Sequence, residues 1–190
     1  MTIYAALLRG INVGGKNKIK MADLRDLCVE IGLTHVQTYI QSGNIIFSSD
    51  LDKENVRQLL EDGIQQKFQL EVVVILRTYE ELEQILVQCP FSSEEIEAAE
   101  QSSAGESLYV ALLLQSPLPE AVNQLSVSYE DRTDKYVIQQ DNVYLLFRDS
   151  VRNSKLANRI TKLATPSTMR NWKTMTKLAQ MARETKESFK

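Results

Sequence analysis

The stretch Val36-Gln-Thr-Tyr-Ile-Gln-Ser-Gly-Asn-Ile-Ile-Phe47 decides the fold. Val36, Thr38 and Ile40 alternate with Gln37, Tyr39 and Gln41, which is the period of a half-buried strand. Gly43-Asn44 is a two-residue hairpin signal with Gly at the first central position, and it predicts Ile40 opposite Phe47. Upstream, Ile3–Leu8 is a short apolar run that reads as a buried strand ending at Arg9-Gly10. Gly10, Gly14 and Gly15 then make a loop, and Leu24, Leu27, Cys28 and Ile31 recur at helical spacing until Gly32 stops them. Downstream, Val56, Leu59, Leu60, Ile64 and Phe68 predict a helix over Asp52–Phe68, and Glu71–Leu76 is a β-branched run and so a strand. The order β-α-β-β-α-β is the split ferredoxin-like unit.

The rest of the chain reads as a looser second copy, similar in element order but not in sequence. Helices are predicted at Tyr79–Val87, at Ser93–Gln101 after the break at Pro90, and at Pro119–Leu125, with Ser92 or Ser93 as a cap. Gln101 to Gly105 is a loop, Leu108–Leu114 a strand, and Tyr136–Gln139 with Val143–Phe147 a hairpin across Asp141-Asn142. Lys155–Leu163 and Met169–Arg183 close the chain as helices, separated by Thr165-Pro166-Ser167. The expected fold class is α+β, with two ferredoxin-like halves at residues 1–78 and 79–190. No Gly-, Ser- or Pro-rich linker divides them, and the last helix is free to return to the first half.

Composition narrows the function classes. The 190 residues are 43% hydrophobic and 25% charged, which fits a folded domain and excludes extensive disorder. Apolar runs such as Val72–Leu76 and Tyr109–Leu114 are far short of the roughly 20 residues of a membrane span. No basic n-region opens the chain, so no signal peptide is read, and Cys28 with Cys89 makes no disulfide framework; a reducing cytoplasm is expected. One His and two Cys cannot build a structural zinc cage, and no cofactor is assigned.

The net charge of −3 conceals a polarity: residues 1–147 hold 11 Lys and Arg against 22 Asp and Glu, and residues 148–190 hold 11 against 3. Inside the acidic portion lies one basic island, Arg9, Lys16, Lys18 and Lys20, with no acid between them. Such asymmetry points to an anionic partner, nucleic acid or a phosphorylated metabolite; the alternative is a self-complementary surface.

Gly10-Ile-Asn-Val-Gly-Gly15-Lys16-Asn17 satisfies G-x-x-x-x-G-K, but Asn17 stands where a nucleotide-hydrolysing P-loop needs Ser or Thr, and Lys18-Ile19-Lys20 delay the helix. A strand-end Gly loop with these cations still offers N–H donors and positive charge to phosphate; otherwise it is a surface loop with solubilising lysines. An RNA-recognition reading would place bases on Tyr4, Tyr39 and Phe47, but the hairpin strand lacks the required basic and aromatic run. In the last helix Trp172, Met175, Leu178 and Met181 form one stripe, and Ser167 or Thr168 is the natural cap. Arg170 and Asn171 would then fall in its first turn, where a cation is favourable only beside an anion bound at the helix start. His35 has no nucleophile pattern around it, Cys28 lies on an apolar helix face, Cys89 has no basic neighbour, and the Glu94–Glu100 run is a solvated helix face.

Three segments together resemble a known family. Leu7-Leu-Arg-Gly-Ile-Asn-Val-Gly-Gly-Lys16, Thr38-Tyr-Ile-Gln-Ser-Gly-Asn44 followed by Phe47, and Arg170-Asn-Trp-Lys-Thr174 are similar to the hallmark segments of the bacterial family called domain of unknown function 1697. The resemblance spans nearly the whole chain, with Met175 where a β-branched residue is common, and it implies an α+β fold with ferredoxin-like portions. It brings no activity, cofactor or catalytic residue. The matched positions Arg9, Asn12, Gly14, Gly15, Lys16, Ser42, Gly43, Asn44, Arg170, Asn171 and Trp172 are the candidate ligand-binding residues, rich in donors that suit phosphate. The expected function is binding of a phosphate-bearing ligand, nucleotide or RNA; the alternatives are a small-molecule enzyme using the same pocket and a protein-interaction module. Equally, the Gly turns can be matched for their backbone angles alone, and Trp172 as an anchor of the last helix.

Overall fold

A computed structural model describes residues 1–103, 105–129, 133–149, 151, 154–160, 163 and 165–189. The chain divides into two units, Met1–Gln84 with Thr176–Lys190, and Ile85–Met175.

In the first unit β1 (Thr2–Leu8), α1 (Met21–Glu30), β2 (Thr34–Tyr39), β3 (Asn44–Ser49), α2 (Lys53–Phe68) and β4 (Val74–Thr78) follow in that order. The strands form an antiparallel sheet in the order β2-β3-β1-β4, which is the ferredoxin-like arrangement. Tyr4, Ala6, Leu8, Ile45, Phe47, Val74 and Leu76 face Leu24, Leu27, Val56, Leu60 and Ile64 of the helices in one core. Each Val, Leu, Ile or Phe side chain among them contributes roughly 1.5–3 kcal/mol on burial. Asp52 caps α2 by accepting the Asn55 N–H at 2.9 Å. Gly63 lets α2 approach α1, since a Cβ there would lie 3.2 Å from Leu27 Cδ1. The end of the chain belongs to this unit: Arg183 pairs with Glu83 at 2.7 Å, Lys186 with Glu80 at 2.7 Å, and the Gln37 amide donates to Thr185 Oγ1 at 3.1 Å.

The hairpin has a different register from the expected one. Tyr39 pairs with Asn44 and Thr38 with Ile45, so Ile40–Gly43 form a four-residue connection and Ile40 is 49% exposed rather than opposite Phe47. The Leu8 N–H donates to the Gly43 carbonyl at 2.8 Å, which draws the connection against the end of β1 and fixes the longer loop. Phe47 is fully buried, as a core residue should be.

After α3 (Tyr79–Val87) and α4 (Ser93–Ser102), the second unit contains β5 (Leu108–Leu113), α5 (Pro119–Ser128), β6 (Lys135–Gln139), β7 (Asn142–Leu146), α6 (Lys155–Ile160) and β8 (Ser167–Asn171), before α7 (Trp172–Glu187). Its sheet order, β6-β7-β5-β8, repeats that of the first unit. Ala111, Leu113, Val143, Leu145 and Phe147 pack against Leu125, Leu156, Ile160 and Leu163. Of the expected helix to Leu163, Thr161 and Lys162 lie outside the described residues, as does Ala104 of the expected loop.

The fourth strand is the main correction. Residues 167–171 are β8, paired antiparallel with β5, and not a loop and helix start. With it the second copy is complete. The register also makes two junctions equivalent: Ala5 pairs with Arg77 and Tyr4 with Thr78, as Val110 pairs with Arg170 and Tyr109 with Asn171. Arg77-Thr78-Tyr79 and Arg170-Asn171-Trp172 thus each end a fourth strand and begin a helix.

Candidate functional site

The connection Arg9–Lys20 between β1 and α1 is 12 residues long, whereas the equivalent connection 114–118 between β5 and α5 has five. One copy of the repeated scaffold therefore carries an extension. Val13 and Lys16 bridge across Gly14 and Gly15, whose φ angles of 58° and 77° are the left-handed pair of a tight hairpin turn that Gly adopts without strain. Asn17, at φ 48°, donates its amide to the Gly10 carbonyl at 3.1 Å. α1 starts only at Met21, behind Lys20, so the geometry of a P-loop is absent and the Gly-rich segment is a miniature hairpin.

Asn12 organises this loop. Its Oδ1 accepts the Ile19 N–H at 2.9 Å, and its Nδ2 donates to the Ile19 carbonyl at 2.9 Å and to the Gln41 carbonyl at 2.8 Å. The last bond ties the loop to the β2–β3 connection. Gly43 packs there so closely that a Cβ would lie 2.5 Å from Ile11 Cδ1 and 2.9 Å from Leu8 Cβ, and its φ of 73° also demands Gly. Asn44 is buried and donates its amide to Ser42 Oγ at 2.9 Å and to the Tyr39 carbonyl at 3.1 Å. Asn12, Ser42, Gly43 and Asn44 thus build the loops: Asn12 bonds to the Ile19 and Gln41 backbone, and Asn44 to Ser42 and the Tyr39 carbonyl.

The side chains left to solvent are different ones. Arg9, Lys16, Lys18 and Lys20 are exposed, and none of the described residues forms an ion pair with them. Lys53, Lys67, Lys135, Arg183 and Lys186, by contrast, are each paired with a carboxylate. Lys20 stands at the N-cap of α1, where no side chain caps the first N–H groups; Asp23 is the acid in that first turn.

Sequence reasoning missed Val13 and Ile40. Both are exposed, at 65% and 49%, in the two joined loops. Ile40 also has φ 49°, a left-handed conformation that a β-branched residue adopts rarely. No local pattern signals it.

Arg170, Asn171 and Trp172 lie in the second unit. Arg170 is 8% exposed and donates to Thr168 Oγ1 at 2.6 Å and to the Met169 carbonyl at 3.0 Å; burial lowers its pKa to about 10. Asn171 Oδ1 accepts the Thr174 N–H at 2.9 Å, so Asn171 caps α7, and the expected cap at Ser167 or Thr168 is replaced because both are in β8. Thr78 does the same in the first copy, accepting the Glu81 N–H at 3.2 Å while Glu81 accepts the Thr78 N–H at 2.7 Å.

Tyr4 and Phe47 are buried with ring centroids 5.8 Å apart, and the Tyr4 hydroxyl donates to the Leu51 carbonyl, so neither offers a base platform. Cys28 is buried and its thiol is pushed up to about 12 by burial, which leaves it inert. His35 sits edge-on to Phe189 with centroids 4.7 Å apart. Among the described residues no group of three His, Cys, Asp or Glu side chains could hold a metal ion.

The sequence matches the family described as "protein of unknown function (DUF1697)" over residues 1–144. The chain belongs to this family. The matched segment contains both joined loops and ends before Arg170. A structure described as that of the conserved bacterial protein SP0830 from Streptococcus pneumoniae is similar, with a TM-score of 0.73 and 29% identity over 95% of this chain and 98% of that one. The curated proteins gave no match. No helix among the described residues is long and apolar enough to cross a membrane.

Proposed function

We propose that the joined loops 9–20 and 40–43 bind a phosphate-bearing ligand, a nucleotide or RNA. The observation that carries this reading is the set of four exposed cations without an ionic partner among the described residues, on an extension that only one copy of the scaffold has. A net negative chain that collects Arg9, Lys16, Lys18 and Lys20 on one loop creates a local positive field that attracts anions. Charge-assisted hydrogen bonds from guanidinium and ammonium groups to phosphate are stronger than neutral ones. The uncapped start of α1 adds N–H donors beside Lys20. Arg170, Asn171 and Trp172 act in this reading as the start of α7, matching Arg77, Thr78 and Tyr79 in the first copy.

Calorimetry with nucleoside phosphates and sugar phosphates, and anisotropy with labelled short RNA, test the reading at low and at raised salt. Saturable binding that Lys16→Ala and Arg9→Ala each weaken at least fivefold is the expected result. Absence of binding across the panel, or binding that both variants leave unchanged, overturns it.

A further inference from the structure

We infer that the ligand of these joined loops is a single-stranded nucleic acid, with phosphates on the four cations and bases against Ile40, Val13 and Gln41; this rests on the phosphate-binding reading above. Ile40 is the key residue. An L side chain in the left-handed region is disfavoured by roughly 1–2 kcal/mol, and Asn or Gly would relieve that. Ile40 holds φ 49° and still leaves 49% of itself in water. Strain of this kind, with an apolar side chain displayed, marks a surface that meets something.

The neighbours specify what. Asn12 ties the two loops together through its bond to the Gln41 carbonyl, and Val13 and Ile40 are the chain neighbours of the two residues it joins. The Gln41 side chain is exposed and makes no hydrogen bond among the described residues, and its amide can both donate to and accept from a base edge. A free phosphate would use the cations but neither the aliphatic pair nor the amide. A lipid surface would use the cations and the aliphatic pair but not the amide. An unpaired strand uses all of them, because its bases expose apolar faces and unmet hydrogen-bonding edges beside a repeating charge. A duplex hides those faces in its own stack.

The test uses the full chain and four probes: a labelled 12-nucleotide single-stranded RNA of mixed sequence, the DNA strand of the same sequence, its duplex, and vesicles of phosphatidylglycerol. The expected result is single-strand binding at least tenfold tighter than to duplex. The slope of log affinity against log salt should become shallower by about 0.7 for each of Arg9, Lys16, Lys18 and Lys20 changed to Ala. Ile40→Asn and Gln41→Ala should each weaken strand binding roughly three- to tenfold with the salt slope unchanged. Asn suits the left-handed position, and the urea midpoint of Ile40→Asn shows whether the fold is kept. RNA bound more tightly than DNA assigns a contact to the 2′-hydroxyl, and equal binding assigns the contacts to bases and phosphates; either supports the inference. Equal affinity for duplex, vesicle binding that exceeds strand binding, or full affinity in Ile40→Asn and Gln41→Ala overturns it. In those cases the phosphate-binding reading survives as long as Lys16→Ala still weakens binding. If no strand binds while a nucleoside phosphate does, only this inference fails; if neither binds, both fail.

Discussion

Asn12 and Gln41 are joined by a hydrogen bond of 2.8 Å from the Asn12 amide to the Gln41 carbonyl, across 29 residues of sequence. The same side chain closes the loop on itself through both backbone groups of Ile19. One residue therefore sets the shape of the basic loop and its attachment to the β2–β3 connection.

Replacing Asn12 by Gly should show this directly. Gly keeps the backbone at φ 55° without strain but removes three hydrogen bonds. The expected loss is about 1–3 kcal/mol in urea unfolding. Hydrogen exchange should accelerate at the Ile19 amide and leave the β1–β3 amides protected.

Gly43→Ala should be more damaging than its size implies. The new methyl would meet Ile11 and Leu8 and would sit at φ 73°. Overpacking and left-handed strain together are expected to lower stability by about 2–4 kcal/mol, read from the urea midpoint. Gly14→Ala has no neighbour to meet and only the strain at φ 58°, so it should lose about half as much or less.

Ile40→Asn should act in the opposite direction. Relief of the left-handed isoleucine is expected to raise stability by about 0.5–1 kcal/mol in the same assay. A rise in stability coupled to a fall in strand affinity would separate a binding surface from a folding determinant. A fall in stability would contradict the strain assigned to this residue.

Thr78→Ala and Asn171→Ala remove equivalent helix caps in the two copies. Each should lower stability by about 1 kcal/mol, with Thr78→Ser and Asn171→Asp close to the parent protein. Cys28 should resist a thiol reagent at pH 8 until denaturant is added, because burial holds it protonated.

Acid should destabilise the fold through particular carboxylates. Lys186 beside Glu80, Lys135 beside Glu95 and the Asn55 N–H on Asp52 hold these groups below their ordinary values of 4.5, 4.5 and 3.8. A carboxylate depressed in the folded state stabilises it fully above the unfolded value and loses that stabilisation as pH falls through the folded value. Urea midpoints should thus decline below about pH 4.5, and Glu80→Gln should flatten that decline.

The first copy was largely legible because its signals are local. Apolar runs marked Ile3–Leu8, helical spacing marked α2 through Val56, Leu60 and Ile64, and Asp52 stood ready as its cap. The basic island was equally plain, since charge needs no structure to be counted. The hairpin register was not legible. A Gly-Asn pair suggests the shortest turn, but Gly43 is held by the Leu8 N–H and by contact with Ile11, and both partners come from β1 and the loop after it. Strand β8 was hidden for a related reason. Ser167-Thr-Met-Arg-Asn171 is polar and buries Thr168 and Arg170, so apolar alternation does not mark it; only pairing with β5 makes it a strand.

The sequence by itself determined the fold class, the element order of the first copy and a cluster of uncompensated cations, because each follows from neighbouring residues or from composition. The tertiary structure decided which polar residues are used up inside the loops, that Arg170 is buried in a strand, and that Ile40 stands strained in water. Those outcomes depend on hydrogen bonds and packing between residues dozens of positions apart, such as Asn12 with Gln41, and such contacts carry no local pattern.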